Sequence, residues 1–275
     1  DLTELGNSAF YGCDQLKKIT IGASLTSLNT YAFDDCPKLK TVRVSKSNHV
    51  LYAKDNMLIN KKKKSVIWIA PAKKKVVIPN GTKVIGDYCF YGSKAESLVI
   101  PKSVKKIGKK ALEASDLEKI RLKKGNKVYA KDGSCIYKKK TKELVVVTAS
   151  KGGQVVKISP KVKKITRDAM TAGDNFIVND GSSLDYIVIP ASTILCDSWY
   201  QFYKAGYITC DVVFRGKTLP KYSSGAQNIF PLFCTYYVPK GMVKKYKNWI
   251  KKTAPDYSSI IKVKTCTKKV KKSTK

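Results

Sequence analysis

His49 is the only histidine in the 275-residue chain. It stands in a polar stretch between Lys46 and Lys54, without a catalytic or metal-ligating partner at a recognisable spacing. A lone histidine of this kind reads as a solvated side chain, because triads and metal sites are built from several converging groups. Eight cysteines are present, but they form no Cys-x-x-Cys pair and no zinc spacing. No Gly-x-x-x-x-Gly-Lys-Ser/Thr run that could cradle phosphate occurs. Asp55 and Asp132 recur in equivalent settings, Tyr52-Ala53-Lys54-Asp55 and Tyr129-Ala130-Lys131-Asp132. They could act as an acidic pair, yet Asp132 precedes Gly133 and a turn is the simpler reading. The expectation is a protein that is not an enzyme, with no cofactor and no metal site.

Lysine is the residue whose placement carries more information. Fifty-four Lys and Arg stand against 20 Asp and Glu, a formal charge of +34. Such imbalance invites a polyanionic partner: an anionic glycan, a cell-wall polymer or, less favoured, nucleic acid. The plainer reading is that the charge keeps the chain soluble and monomeric. Several lysines recur in register. Lys105-Lys106 and Lys163-Lys164 each precede an isoleucine that opens a repeat, and Lys17-Lys18 has the same local setting at another phase. Lys61-Lys62-Lys63 and Lys138-Lys139-Lys140 fall in equivalent turns. Equivalent positions on paired strands lie roughly 4.7–4.9 Å apart, so these twelve lysines are the candidate binding surface, as stripes. The alternative is a solvated face.

The elements that position them come from an internal repeat. Leu5, Ala9, Phe10, Cys13, Leu16, Ile19 and Ile21 map onto Leu28, Ala32, Phe33, Cys36, Leu39, Val42 and Val44, 23 residues on. A period in the low twenties belongs to leucine-rich-repeat-like solenoids, in which each unit supplies a strand and a turn back. Ile19 and Ile21 alternate with polar residues as in a half-buried strand. Ser8 to Cys13 reads as a tight turn that drives Phe10 into the core, with Gly12 at a position needing positive φ. Cys13 and Cys36 share one slot, and Cys89 takes the slot of Ala9 and Ala32; these are places for small buried side chains rather than a disulfide framework.

The next openings are Ile85, Ile107 and Ile165, so short units of about 23 residues alternate with long ones of about 57. The long interiors, 48–79 and the stretch holding Tyr129 to Lys140, read as hairpin material with lysine-rich turns. A fifth unit starts at Ile165, with Ala169-Met170 in place of Ala-Phe and Gly173 following. The frame then degrades through Trp199 and Phe202, a strand at Val212–Phe214 and a loop at 216–233. A strand at Tyr236–Pro239, an amphipathic helix within Gly241–Lys252 and a strand near Ile260–Val263 would cap the stack. The expected division is a solenoid over 1–215, a capping region over 216–265 and a disordered lysine-rich tail over 266–275.

These residues resemble the BspA-type (Treponema pallidum-type) leucine-rich repeat proteins of bacteria. The family frame, I/LG-x-x-AF-x-G/N-C-x-x-L-x-x-I/V-x-I/V-P, is carried by Leu5-Gly6, Ala9-Phe10, Gly12-Cys13, Leu16, Ile19 and Ile21. Leu28 to Val44 repeats it, as do Ile85-Gly86, Phe90, Gly92, Leu98 and Ile100-Pro101. The resemblance implies a mainly β solenoid that is secreted or displayed at the cell surface. It implies adhesion to a host or matrix protein and no catalytic residues. No apolar run reaches the roughly 18–20 residues needed to span a bilayer. The start at Asp1, without a methionine or a signal-peptide pattern, is expected of a mature or trimmed segment.

Overall fold

A computed structural model describes residues 1–112, 117–148, 155–165, 169–172, 185–196, 211–221, 235–253 and 261–274. Gly173, Trp199, Phe202 and most of the expected 216–233 loop lie outside them. The chain forms two compact units, Asp1–Tyr129 and Ala130–Lys275. Each is a β-solenoid whose strands pair mainly in parallel with the equivalent strands of the next turn.

In the first unit Lys18–Ile21 pairs in parallel with Thr41–Val44, and Glu4–Leu5 with Ser27–Leu28. Lys75–Val77, Ser97–Ile100 and Lys119–Leu122 form a three-stranded parallel sheet. Ser65–Ile69, Val84–Ile85 and Lys106–Ile107 run as a second parallel ladder. A meander extends that ladder, with Met57–Asn60 and Leu51–Lys54 adding antiparallel strands. The expected hairpin therefore exists and carries Lys61 to Lys64 at its turn. Val76 to Ile78 does not belong to it, because Lys75–Val77 pairs in parallel with Ser97–Val99. Each long unit is thus a hairpin followed by a further solenoid turn.

Inward residues of the first turns of this unit close over an apolar core that includes Leu25, Phe33, Leu39, Val42, Leu58 and Trp68. Phe33 stands between Phe10, 5.2 Å away, and Trp68, 5.1 Å away. Phe10 is 39% exposed, so it does not enter the core as expected; only one of its faces meets a stacked ring. Gly12 and Gly92 take φ of +71° and +67°, and Asp35 fills the same slot at +54°. Cys36 and Cys89 are buried thiols without a disulfide, as their slots predict. Burial pushes the Cys89 thiol pKa up.

The second unit repeats the scheme. Cys135–Lys138 and Leu144–Thr148 form an antiparallel hairpin, and Leu144–Thr148 pairs in parallel with Met170–Ala172. Val155–Lys157, Tyr186–Ile189, Asp211–Phe214, Thr235–Val238 and Lys262–Thr265 form a five-stranded parallel sheet. Helix α1, Val243–Thr253, packs on its inward side. Tyr246 lies 5.0 Å from Phe214 and Trp249 5.9 Å from it, and the Tyr246 hydroxyl donates to Gly216 O at 2.9 Å. The expected capping strands and helix are all present.

The tail departs from expectation. Lys268–Ser273 forms a second helix, α2, with Val270 buried and Thr267 Oγ1 accepting from Val270 N at the N-cap. A single valine and Cys266 find apolar partners on the sheet, which supplies the burial that the lysine-rich composition alone does not promise.

Candidate functional site

Strand alternation sends every second side chain away from the core, and the parallel register aligns those side chains into rows. In the three-stranded sheet Lys75, Ser97 and Lys119 make one row and Val77, Val99 and Arg121 the next. Val77 is 50% exposed and Arg121 is exposed. In the neighbouring pair, Lys18 stands opposite Thr41 and Thr20 opposite Arg43. This outward strand face is basic, with valines set among the cations.

A second feature lies where the repeats open. Lys83 N donates to Lys64 O and Lys105 N to Lys83 O, each at 2.8 Å, so Lys64, Lys83 and Lys105 stand in one file across adjacent strands. Lys106 follows beside Lys105, opposite Val84. Among the described residues no carboxylate forms an ion pair with Lys64, Lys83 or Lys105. The equivalent file in the second unit begins with Lys142, whose carbonyl accepts from Lys163 N at 2.9 Å and Lys164 N at 3.2 Å. Lys64 and Lys142 both hold positive φ, +49° and +59°, at the end of a hairpin turn.

The expected lysines thus divide. Lys105 and Lys163 enter these files, with Lys106 and Lys164 alongside. Lys17 and Lys18 begin a different strand, where Lys40 N and Thr41 N donate to Lys17 O. Lys62 and Lys63 are exposed at a hairpin tip, whereas Lys61 Nζ donates to Asn48 O at 2.6 Å. Lys139 and Lys140 are exposed in the equivalent turn, but Lys138 pairs with Glu143 at 2.7 Å. That bond holds the Glu143 carboxyl below its ordinary pKa. Equivalent neutralisation marks the start of the other strand column, where Lys74 bonds Glu96 at 2.6 Å and Glu118 follows Glu96 in the ladder.

Sequence reading missed Lys64, Lys83 and Lys142. The signal was present for Lys83, since Lys83-Val84-Ile85-Gly86 has the frame of Lys105-Lys106-Ile107-Gly108. Lys64 and Lys142 sit one and two places before strands whose turn was hidden inside a long unit. Also missed were Asn48 and Asn126, which pin the two insertions. Asn48 Nδ2 donates to Gly22 O and Leu25 O while its Oδ1 accepts from Val50 N and Leu51 N. Asn126 repeats the pattern with Pro101 O, Val104 O, Val128 N and Tyr129 N. His49, next to Asn48, is exposed.

Asp55 behaves as a turn residue, whereas Asp132 ends the strand Tyr129–Asp132 and the turn itself begins at Gly133. Asp55 and Asn56 both take positive φ, +50° and +58°, between two antiparallel strands, the geometry that a two-residue hairpin turn requires. Asp132 accepts from Ser159 Oγ at 2.5 Å and from Lys161 Nζ at 3.1 Å. The Ser159 hydrogen bond, then Lys161, lowers its pKa. On the turn side of the first unit Tyr31 packs 4.2 Å from Tyr91 and 5.6 Å from Tyr88, and Tyr91 Oη donates to Asp34 at 3.4 Å.

Among solved structures, the chain is similar to a leucine-rich cell surface protein of Faecalibacterium prausnitzii. Identity is 21%, the match covers 78% of this chain and 52% of that one, and the TM-score is 0.47. It is also similar to the pneumococcal vaccine antigen PcpA, with 18% identity, coverage of 91% and 56%, and a TM-score of 0.47. A leucine-rich repeat protein of Eubacterium ventriosum matches at 22% identity, coverage of 86% and 64%, and a TM-score of 0.41. The chain therefore spans less than two thirds of the length of each. No curated protein matches the sequence. Among the described residues no helix is long and apolar enough to cross a membrane. The model of the BspA-type leucine-rich repeat region matches in six copies over residues 1–71 and 70–145. Over half the chain is covered by those copies, and the chain belongs to the BspA-type leucine-rich repeat family.

Proposed function

We propose that the chain is a non-catalytic bacterial repeat protein, secreted or held at the cell surface, that adheres to a host or matrix protein through its outward strand face. Residues 1–215 serve as the scaffold and 216–265 as its cap. The observation that carries this reading is the register of the outward rows, Lys75–Ser97–Lys119 and Val77–Val99–Arg121. Extended rows of cations with interleaved valines offer a partner a flat surface with both apolar and charged contacts. The test replaces Val77, Val99 and Arg121 together by Asp, Asp and Glu and measures capture on a panel of immobilised matrix proteins. Loss of capture with unchanged circular dichroism supports the reading; undiminished capture overturns it.

A second reading is favoured by the lysine files. Lys64, Lys83 and Lys105 stand in register with no ion-paired carboxylate among the described residues, an arrangement suited to a linear anionic polymer. The contacts would then be electrostatic, so binding to a heparin-like glycan or teichoic acid should fall steeply as salt rises. Binding that is indifferent to salt excludes it.

A further inference from the structure

The outward face of the five-stranded sheet is occupied by the chain's own C-terminal segment. Its rows are Val155–Tyr186–Asp211–Thr235–Lys262 and Lys157–Val188–Val213–Tyr237–Lys264. Val188 and Val213 point away from the core yet are only 7% and 0% exposed. Cys266 and Val270 cover them, with Val155, Tyr186 and Tyr237 packed around the edge. The Arg215 guanidinium fastens the far end by donating to the Thr274 carbonyl at 3.5 Å and to its hydroxyl. The corresponding face in the first unit is open, with Val77 half exposed and Val99 half-buried.

This covering element is poorly suited to hold itself together. It has six residues, far fewer than the roughly 12–15 at which an isolated helix becomes marginal in water. Four of the six are lysines, and its first turn has no acidic residue to meet the helix dipole. Its order therefore comes from docking, through Val270 and Cys266 in the apolar row and Thr274 on Arg215. Half-buried Asp185 and Asp211 belong to the strand edge beside Tyr186, and Lys157, Lys262 and Lys264 stand in the outward rows of the same face.

We propose that residues Cys266–Thr274 are a displaceable intramolecular ligand, and that the row Tyr186–Val188–Val213–Tyr237 beneath them is a docking site for a short lysine-flanked, valine-bearing segment of a partner protein. The bound tail displays the ligand chemistry: one β-branched apolar side chain in the row, exposed lysines on either side of it, and a threonine on Arg215. The identification of the occupant as a protein segment rests on the strand-face reading above; the tail's displacement does not.

The experiment uses a chain ending at Thr265 and a fluorescent peptide of residues 264–275. The truncated chain should bind the peptide saturably. The full chain should bind about tenfold more weakly if its own tail fills the site nine-tenths of the time. Val213→Lys in the truncated chain should abolish binding. A truncated chain that keeps its circular dichroism and melting profile but does not bind the peptide overturns the proposal. Should truncation unfold the protein, Val270→Lys in the full chain replaces it, and peptide binding by that folded variant supports the proposal. If Val270→Lys instead unfolds the five-stranded sheet together with the tail by hydrogen exchange, α2 is an integral part of the fold and the proposal fails. Peptide binding without capture on any matrix protein would sink the adhesion reading alone.

Discussion

Asn48 is fully buried and satisfied by four hydrogen bonds, two to carbonyls of the preceding turn and two from amides that begin the hairpin. Asn48→Ala strands these groups in the core, so it should lower unfolding free energy by on the order of 2–3 kcal/mol in a urea titration. A backbone contact governs Gly108, where a Cβ would stand 2.1 Å from Asp87 Oδ1 and 2.7 Å from Asp87 N. Gly108→Ala should therefore cost about 2 kcal/mol or more, whereas Gly6→Ala, with nothing within 4 Å of its Cβ, should cost well under that. The pH dependence at Asp132 follows from its depressed pKa. Its contribution to stability is complete above the unfolded carboxylate pKa and disappears as pH falls through the lower folded value. Asp132→Asn should be less stable than the parent at pH 7, and thermal melts of the two should converge below about pH 4. Of these residues the Gly slots were legible in the repeat frame. Asn48 was not, because an asparagine beside a lysine-rich turn looks like loop until the preceding turn is brought against it.

Among the elements, helix α1 was readable from the spacing of Met242, Val243, Tyr246, Trp249 and Ile250, because one apolar stripe on a polar helix specifies both its form and its buried face. Trp249 is 7% exposed and stands edge-on to Phe214 and Tyr246. Trp249→Ala should cost about 3–5 kcal/mol and lower the melting temperature of the second unit. The hairpins were also readable, since short apolar runs around lysine-tipped turns admit few other pairings. The parallel strand Lys75–Val77 and helix α2 were not. Both carry too few apolar residues to declare a partner, and each takes its conformation from a surface assembled by distant segments. In α2 that surface comprises strands whose paired residues lie 24 to 31 positions apart in sequence.

For the whole molecule, a formal charge of +34 sets long-range behaviour, while register decides where charge acts. Reversing Lys64, Lys83 and Lys105 together to glutamate should reduce the salt slope of polyanion binding more than reversing Lys17, Lys46 and Lys123. Affinity measured across a salt series checks this, since clustered cations release counterions together. By itself the sequence determined the repeat, its turn geometry, the hairpin insertions and the cap, because each rests on local periodicity or on residues forced by backbone conformation. Only the tertiary structure decided which lysines share a file and that the tail lies across an outward row. Those facts depend on register between segments far apart in the chain, and a one-residue shift in register would send the same side chains to the opposite face.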